Sequence, residues 1–440
     1  MPVSPSTPPH PGHRRTRWLA RLLVLACLPL VLALWAVWPT GPIPVSPQAA
    51  PTPGGELIER GRYLATLGNC QGCHSLPGRP AYAGGTPIAT PFGQVYGPNL
   101  TPSAQGLGDW SADDFWRAMH FGQRPDGRWL NPAFPYPNTT HIRREDSDAL
   151  YAYLRSLPPD DTPSRPNGLR WPYNTQAALK VWRALYFRPA DTAAPSTPGD
   201  VLAQGRYLVE GLGHCSACHA PRNRWGGAGD LLSLAGGRLP SGWEAPSLLD
   251  PAEAGVQGWT EDEVVALLGM GRSGPHRATG PMAEVVAGSL RHWKADDLRA
   301  VARHLQQLPV TPARRTAPSA SGSVDAARGA ALYTTHCASC HGEQGQGYRL
   351  ANGQVAYPAL AGNRTVLLAS AANLLQTVRH GGYALATPDE PLPFGMPPFQ
   401  MTLDDPSMAA VLTHLRQSWG HRAGAVTPLD LHRLTDGCRP

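Results

Sequence analysis

Apolar residues recur at helical spacing in four stretches of this chain, and in a fifth they run almost without a break. Leu150, Tyr153, Leu154 and Leu157 fall at i, i+3, i+4 and i+7, which predicts an amphipathic helix over 147–157. The same periodicity selects Leu298, Val301, Leu305 and Leu308 over 296–308, and Met408, Val411, Leu412, Leu415 and Trp419 over 406–419. Pro406 suits the first turn of that last helix, where no backbone donor is needed. A shorter candidate at 175–187 carries Leu179, Trp182 and Leu185. Ser111 with Asp114, and Thr260 with Glu263, have capping-box spacing and mark two further helix starts.

The unbroken run is 18–38, WLARLLVLACLPLVLALWAVW, interrupted only by Arg21 and preceded by Arg14, Arg15 and Arg17. It is long enough to cross a bilayer as a helix. The basic flank would stay cytoplasmic, and Trp35 and Trp38 suit the outer interface. No small-x-small cleavage pattern follows directly, so a retained anchor is expected, with a cleaved signal peptide as the rival. Either way the chain after residue 40 lies outside the cytoplasm. Cys27, inside the run, reads as an inert thiol.

Chemistry enters at three copies of one motif. CQGCH at 70–74, CSACH at 215–219 and CASCH at 337–341 each follow a helix start of the form Gly-x-x-Leu or Gly-x-x-x-Tyr. Cys-x-x-Cys-His is the spacing that attaches a c-type haem. The two cysteines can each form a thioether to a haem vinyl group, and the histidine then lies where its imidazole can ligate the iron. Cys70, Cys73, Cys215, Cys218, Cys337 and Cys340 are therefore candidate attachment sites, and His74, His219 and His341 candidate proximal ligands. The rival for such a motif is a zinc or redox Cys-x-x-Cys site. Three copies in one repeated context favour three covalently bound haem c groups.

At 440 residues the chain has room for one unit per haem. The expected organisation is a basic segment 1–17, the span 18–38, a Pro-rich linker 39–55, units at 56–159, 199–310 and 325–420, linkers 160–198 and 311–324, and a tail 421–440. The fold class expected is all-α, with three tandem class I cytochrome c-type domains after the N-terminal anchor or signal helix. Forty-seven glycines and 48 prolines with only 16% charged residues suit short helices joined by long loops. Six of the eight cysteines are taken by the motifs, leaving Cys27 and Cys438 and no disulfide framework. A net charge of +6 gives no nucleic-acid stripe.

Each iron also needs a sixth ligand or stays open. In the third unit FGMPPF offers Met396, with Met401 as the fallback; in the second GPMAEVV offers Met282, with Met270 behind it. The first unit has Phe134 where a methionine is expected. His141 is then the nearest donor on that loop, with Met119, His120 or a five-coordinate iron as alternatives. Pro98, Pro246 and Pro358 follow the three proximal histidines, and a rigid carbonyl at each could accept the other ring N–H. His214 and His336 read as surface residues.

The chain resembles the three-haem cytochrome c subunits of membrane-bound bacterial dehydrogenases of the alcohol, gluconate, sorbitol and aldehyde types. GPNLTP at 97–102, RPDGRWLNPAFPYP at 124–137, DALYAYLRSLP at 148–158, GLGHCSACHAPRN at 211–223, GPMAEVV at 280–286, YPALAGN at 357–363 and LRQSWG at 415–420 carry the likeness. Many relatives have methionine in place of Phe134. The resemblance implies electron relay from a flavin, quinone or molybdenum dehydrogenase subunit to ubiquinone or a terminal oxidase, at the outer face of the cell membrane, with no catalytic centre in this chain. The alternatives are a peroxidase-like multihaem enzyme working at an open first haem, and a subunit of a terminal oxidase.

Overall fold

The structure, a computed structural model, describes residues 35, 38, 40–46, 54–191, 199–312, 326–383 and 394–435. Apart from Trp35 and Trp38, the run 18–38 lies outside these, as do Cys27 and Cys438. Among the described residues no helix is long and apolar enough to cross a membrane.

Three crossed helix pairs organise the chain. Helix α1 (Gly55–Leu67) packs on α2 (Arg144–Arg155), and α3 (Gln176–Tyr186) follows. Helix α4 (Val201–Glu210) packs on α5 (Ala295–Gln306), and α6 (Ala326–His336) on α7 (Asp405–Gln417). A glycine permits each crossing. A Cβ on Gly61 would stand 1.9 Å from the carbonyl oxygen of Ala149, one on Gly205 2.1 Å from that of Ala300, and one on Gly329 2.4 Å from that of Ala410. Only hydrogen fits where the two backbones meet.

The closing helices lie where apolar periodicity predicts, with ends set by local chemistry. Helix α2 begins before residue 147 because Glu145 and Asp146 occupy its first turn, where acids favour the positive end of the helix. Leu157 packs against the core from beyond its end. Asp404 caps α7 by accepting from the Ser407 amide at 2.8 Å. Both capping boxes form, at Ser111 with Asp114 and at Thr260 with Glu263.

The first two units share one apolar core, in which Leu64, Leu67 and Leu150 join Leu208, Leu212 and Val301. Their contact is nearly two-fold. Tyr63 on α1 donates to Asp297 on α5 at 2.6 Å, and Tyr207 on α4 donates to Asp146 on α2. Ser289 donates to the Thr66 carbonyl at 2.8 Å, and Asn138 to the Glu210 carbonyl at 2.9 Å. The third unit has its own core around Leu375, Met408 and Leu412. It meets the second unit through polar groups: Asn373 exchanges two 2.8 Å hydrogen bonds with the backbone of Glu244, and Arg238 donates to the carbonyls of Arg433 and Leu434. Val426, and Leu431 on the helix Pro428–Thr435, are also buried in this core.

Strands β1 (Pro87–Thr90), β2 (Gly93–Tyr96) and β3 (Gly168–Leu169) tie the linker to the first unit as a small antiparallel sheet. Helix α3 then bridges the first two units. Trp182 meets the Tyr136 ring edge-on and donates from Nε1 to the Trp225 carbonyl at 3.1 Å. Leu185, which helical spacing puts on the buried stripe, is instead 66% exposed. Arg183 takes the inner face, with its guanidinium over the rings of Trp129, Tyr136 and Phe187. Cation–π stacking on three aromatics outweighs the apolar preference of a leucine there.

Candidate haem sites

Each Cys-x-x-Cys-His lies on a single helical turn, spanning Cys70–His74, Ser216–His219 and Ala338–His341. All six cysteines are free thiols. Burial pushes Cys70 and Cys215 up to about 12 and Cys337 up to about 11. Among the described residues no cluster of three or more His, Cys, Asp and Glu is placed to hold a metal ion. Cys73 is also raised, first by burial and then by the charge of Cys218 in the second unit.

The three histidines share one geometry. His74 Nδ1 lies 2.8 Å from the Pro98 carbonyl, His219 Nδ1 2.7 Å from that of Pro246, and His341 Nδ1 2.9 Å from that of Pro358. A carbonyl only accepts, so Nδ1 carries the proton and Nε2 keeps its lone pair. Burial holds all three rings below the usual histidine range, with the proline carbonyl acting weakly against it. The result in each unit is a neutral imidazole of fixed tautomer beside two thiols. That donor set fits a c-type haem iron.

Among the expected sixth ligands, Met282 is half-buried on the helix Pro281–Gly288 and packs against the shared core. Met396 is half-buried on the short strand Gly395–Met396, paired with Gly382, and packs against the third core. The fallbacks differ sharply: Met270 is 45% exposed and Met401 92%. In the first unit Phe134 packs half-buried against the core. Met119 is buried within that core. His141 follows the short helix Tyr136–Thr139, half-buried, and burial lowers its pKa. His120 is buried, stacked on Trp116 at 4.5 Å, and its Nδ1 has no hydrogen-bond partner among the described residues. Burial lowers the pKa of His120, a hydrogen bond with the Thr140 backbone acts against it, and His141 lowers it slightly further.

Of the two histidines preceding cysteine pairs, His214 makes a contact between units, and His336 is partly exposed. His214, at φ 35°, reaches across the unit boundary, with Nε2 3.2 Å from the Gly68 carbonyl. His336 is half-buried with its ring 6.0 Å from that of Phe399. The Gly-Arg-Tyr-Leu shared by the first two units is the sequence signal for the reciprocal tyrosines.

A cytochrome c family model matches residues 58–158 and 326–419. The second unit, between the matched stretches, repeats the first at Gly205, Tyr207, Asp297 and Ala300. The chain is 35% identical over 397 residues to the cytochrome c subunit of a quinone alcohol dehydrogenase from Gluconobacter oxydans, covering 86% of this chain and 82% of the relative. It is 36% identical over 399 residues to the cytochrome c subunit of gluconate 2-dehydrogenase from Pantoea cypripedii, covering 86% and 89%. It is 31% identical over 420 residues to the cytochrome subunit of fructose dehydrogenase from Gluconobacter japonicus, covering 88% and 83%. On likeness that spans most of each chain, this protein belongs to the family of dehydrogenase cytochrome c subunits.

Proposed function

We propose that the chain holds three covalently bound haem c groups and relays electrons, one at a time, from a dehydrogenase catalytic subunit to ubiquinone or a terminal oxidase. The observation that carries this reading is the histidine–proline hydrogen bond, present at 2.7–2.9 Å in all three units. A bound haem supplies an iron that cycles between the ferric and ferrous states. Everything else is done by this chain. The cysteine pairs 70/73, 215/218 and 337/340 would attach the groups, and His74, His219 and His341 would ligate through Nε2. Met282, Met396 and His141 are the proposed opposite ligands.

The shared apolar core of the first two units supports a short step between their two groups. The units are proposed as tandem cytochrome c domains at 56–159, 199–310 and 325–420. Residues 18–38 would anchor them at the periplasmic face of the cell membrane. The partner would be a flavin, quinone or molybdenum dehydrogenase subunit, by analogy with relatives named for alcohol, gluconate and fructose dehydrogenases.

The test is to purify the native complex and add the partner's substrate without oxygen. All haem absorbance should become reduced, and a ubiquinone analogue should reoxidise it. The isolated chain should do neither. An isolated chain that turned over substrate or peroxide by itself would instead support the catalytic alternative.

A further inference from the structure

The linker segment around α3 has a surface that electron relay does not use. Val181, Ala184 and Leu185 fall at i, i+3 and i+4 on its outer face and are exposed, while Arg183 and Trp182 face the protein. Trp171, which precedes α3, is 79% exposed, and Trp225, whose backbone carbonyl is bonded to Trp182, is 46% exposed. Besides the inward-facing Arg183, the chain from residue 163 to 190 carries Arg165, Arg170, Lys180 and Arg188 and no acidic residue. An apolar helix face with exposed tryptophans and an unopposed basic flank is the pattern of a helix lying in a lipid interface.

Its position gives the pattern a specific partner. Lys180 on α3 donates from Nζ to the Trp35 carbonyl at 2.5 Å and lies 4.5 Å over the Trp35 ring. Trp35 and Trp38 end the apolar run 18–38. The chain just beyond is clamped to the first unit: Gln123, fully buried, accepts from the Ile43 amide at 2.7 Å and donates to the Gly41 carbonyl at 3.1 Å. Arg117 donates to the Ile43 carbonyl at 2.9 Å. These bonds hold the chain to the first unit from Gly41 onward, three residues after Trp38. If the run crosses the bilayer, its outer end is at headgroup depth, and a helix held against it is there too.

We infer that α3, with Trp171 and Trp225, lies on the anionic phospholipid surface and fixes how the haem units stand over the membrane. This rests on the reading of 18–38 as an anchor. The basic flank would meet lipid phosphates.

The test uses the native complex in nanodiscs containing phosphatidylglycerol. A photoreactive residue is introduced as Leu185→benzoylphenylalanine, Trp171→benzoylphenylalanine and, on the third unit, Met401→benzoylphenylalanine. Lipid adducts at 185 and 171 should exceed those at 401 by about tenfold. Adding Val181→Glu should lower the yield at 171 without altering the haem spectrum. Equal yields at all three sites, or an adduct to another protein subunit at 185, would overturn the inference. Alkaline carbonate extraction of the wild type reads the anchor separately. A chain that stays in the membrane without adducts at 185 and 171 defeats only the α3 inference, whereas a chain that washes off defeats the anchor.

Discussion

Tyr63 in the first unit donates its hydroxyl proton to Asp297 in the second across 2.6 Å. Tyr207 returns the bond to Asp146, and each carboxylate is steadied within its own unit, Asp146 by Arg60 and Asp297 by Gln204 at 3.1 Å. The exchange is tied to the helix crossings. Each tyrosine comes two positions after a crossing glycine, and each aspartate three before the alanine that glycine meets. In the third unit the same positions hold Ala331 and Ser407. The first two units therefore interlock around one core, while the third joins by a polar seam.

Replacing either tyrosine by phenylalanine removes a hydrogen bond to a charged acceptor, a change of about 1.5–3 kcal/mol. Denaturant unfolding of Tyr63→Phe and Tyr207→Phe should show that loss, and the third unit should be unaffected.

The same pair sets an alkaline limit. Burial and then the facing carboxylate raise both tyrosine pKa values above the ordinary 10.0. The folded protein keeps these protons where the unfolded chain releases them. Their stabilisation is full below pH 10 and falls as pH rises beyond it. The double phenylalanine variant should show a shallower loss of stability above that pH. An unchanged slope would mean that other groups govern it.

Gly205→Ala drives a methyl into the Ala300 carbonyl and should destabilise by about 1–3 kcal/mol. Gly258→Ala meets nothing within 4 Å and should change stability by no more than about 0.5 kcal/mol. Equal effects in thermal melts would show that the crossing tolerates a side chain.

Much of this was legible in the sequence, for physical reasons. Cys-x-x-Cys-His is local chemistry, so its position is read directly, and the proline carbonyls follow within the same loop. The closing helices bury one face, so their leucines keep period 3.6. What escaped depends on contacts between units. Tyr63 and Asp297 are far apart in sequence, and nothing local says that a tyrosine bonds across a boundary. Leu185 misled because spacing alone cannot tell an apolar face turned inward from one turned out. Val426 and Leu431 were passed over because their stretch is short and lies beyond the last strong apolar stripe.

Met282→His and Met396→His should each lower one midpoint potential, since thioether ligation favours ferrous iron relative to imidazole. A shift on the order of 0.1 V is expected, within the roughly 0.8 V that axial ligands command. Met401→His, on a side chain 92% exposed, is the control and should change nothing. Potentiometric titration decides: a shift from Met401→His and none from Met396→His would reverse the assignment.

His141→Ala should turn one haem high-spin and let it bind carbon monoxide when reduced. If all haems stay low-spin, His120→Ala is the next variant, because its ring lies near His141 and its Nδ1 is unpaired among the described residues. Carbon monoxide binding by the wild type would mark an open first iron and favour the peroxidase-like alternative.

The central claim, one haem c on each Cys-x-x-Cys-His, is tested most directly by haem count per polypeptide. A pyridine haemochrome assay on the purified chain should return about three c-type haems, one for each attachment motif of the repeat. Cys70→Ala with Cys73→Ala, Cys215→Ala with Cys218→Ala, and Cys337→Ala with Cys340→Ala should each remove one. A wild-type count of two or fewer, or a cysteine-pair variant that keeps the full count, would contradict the account.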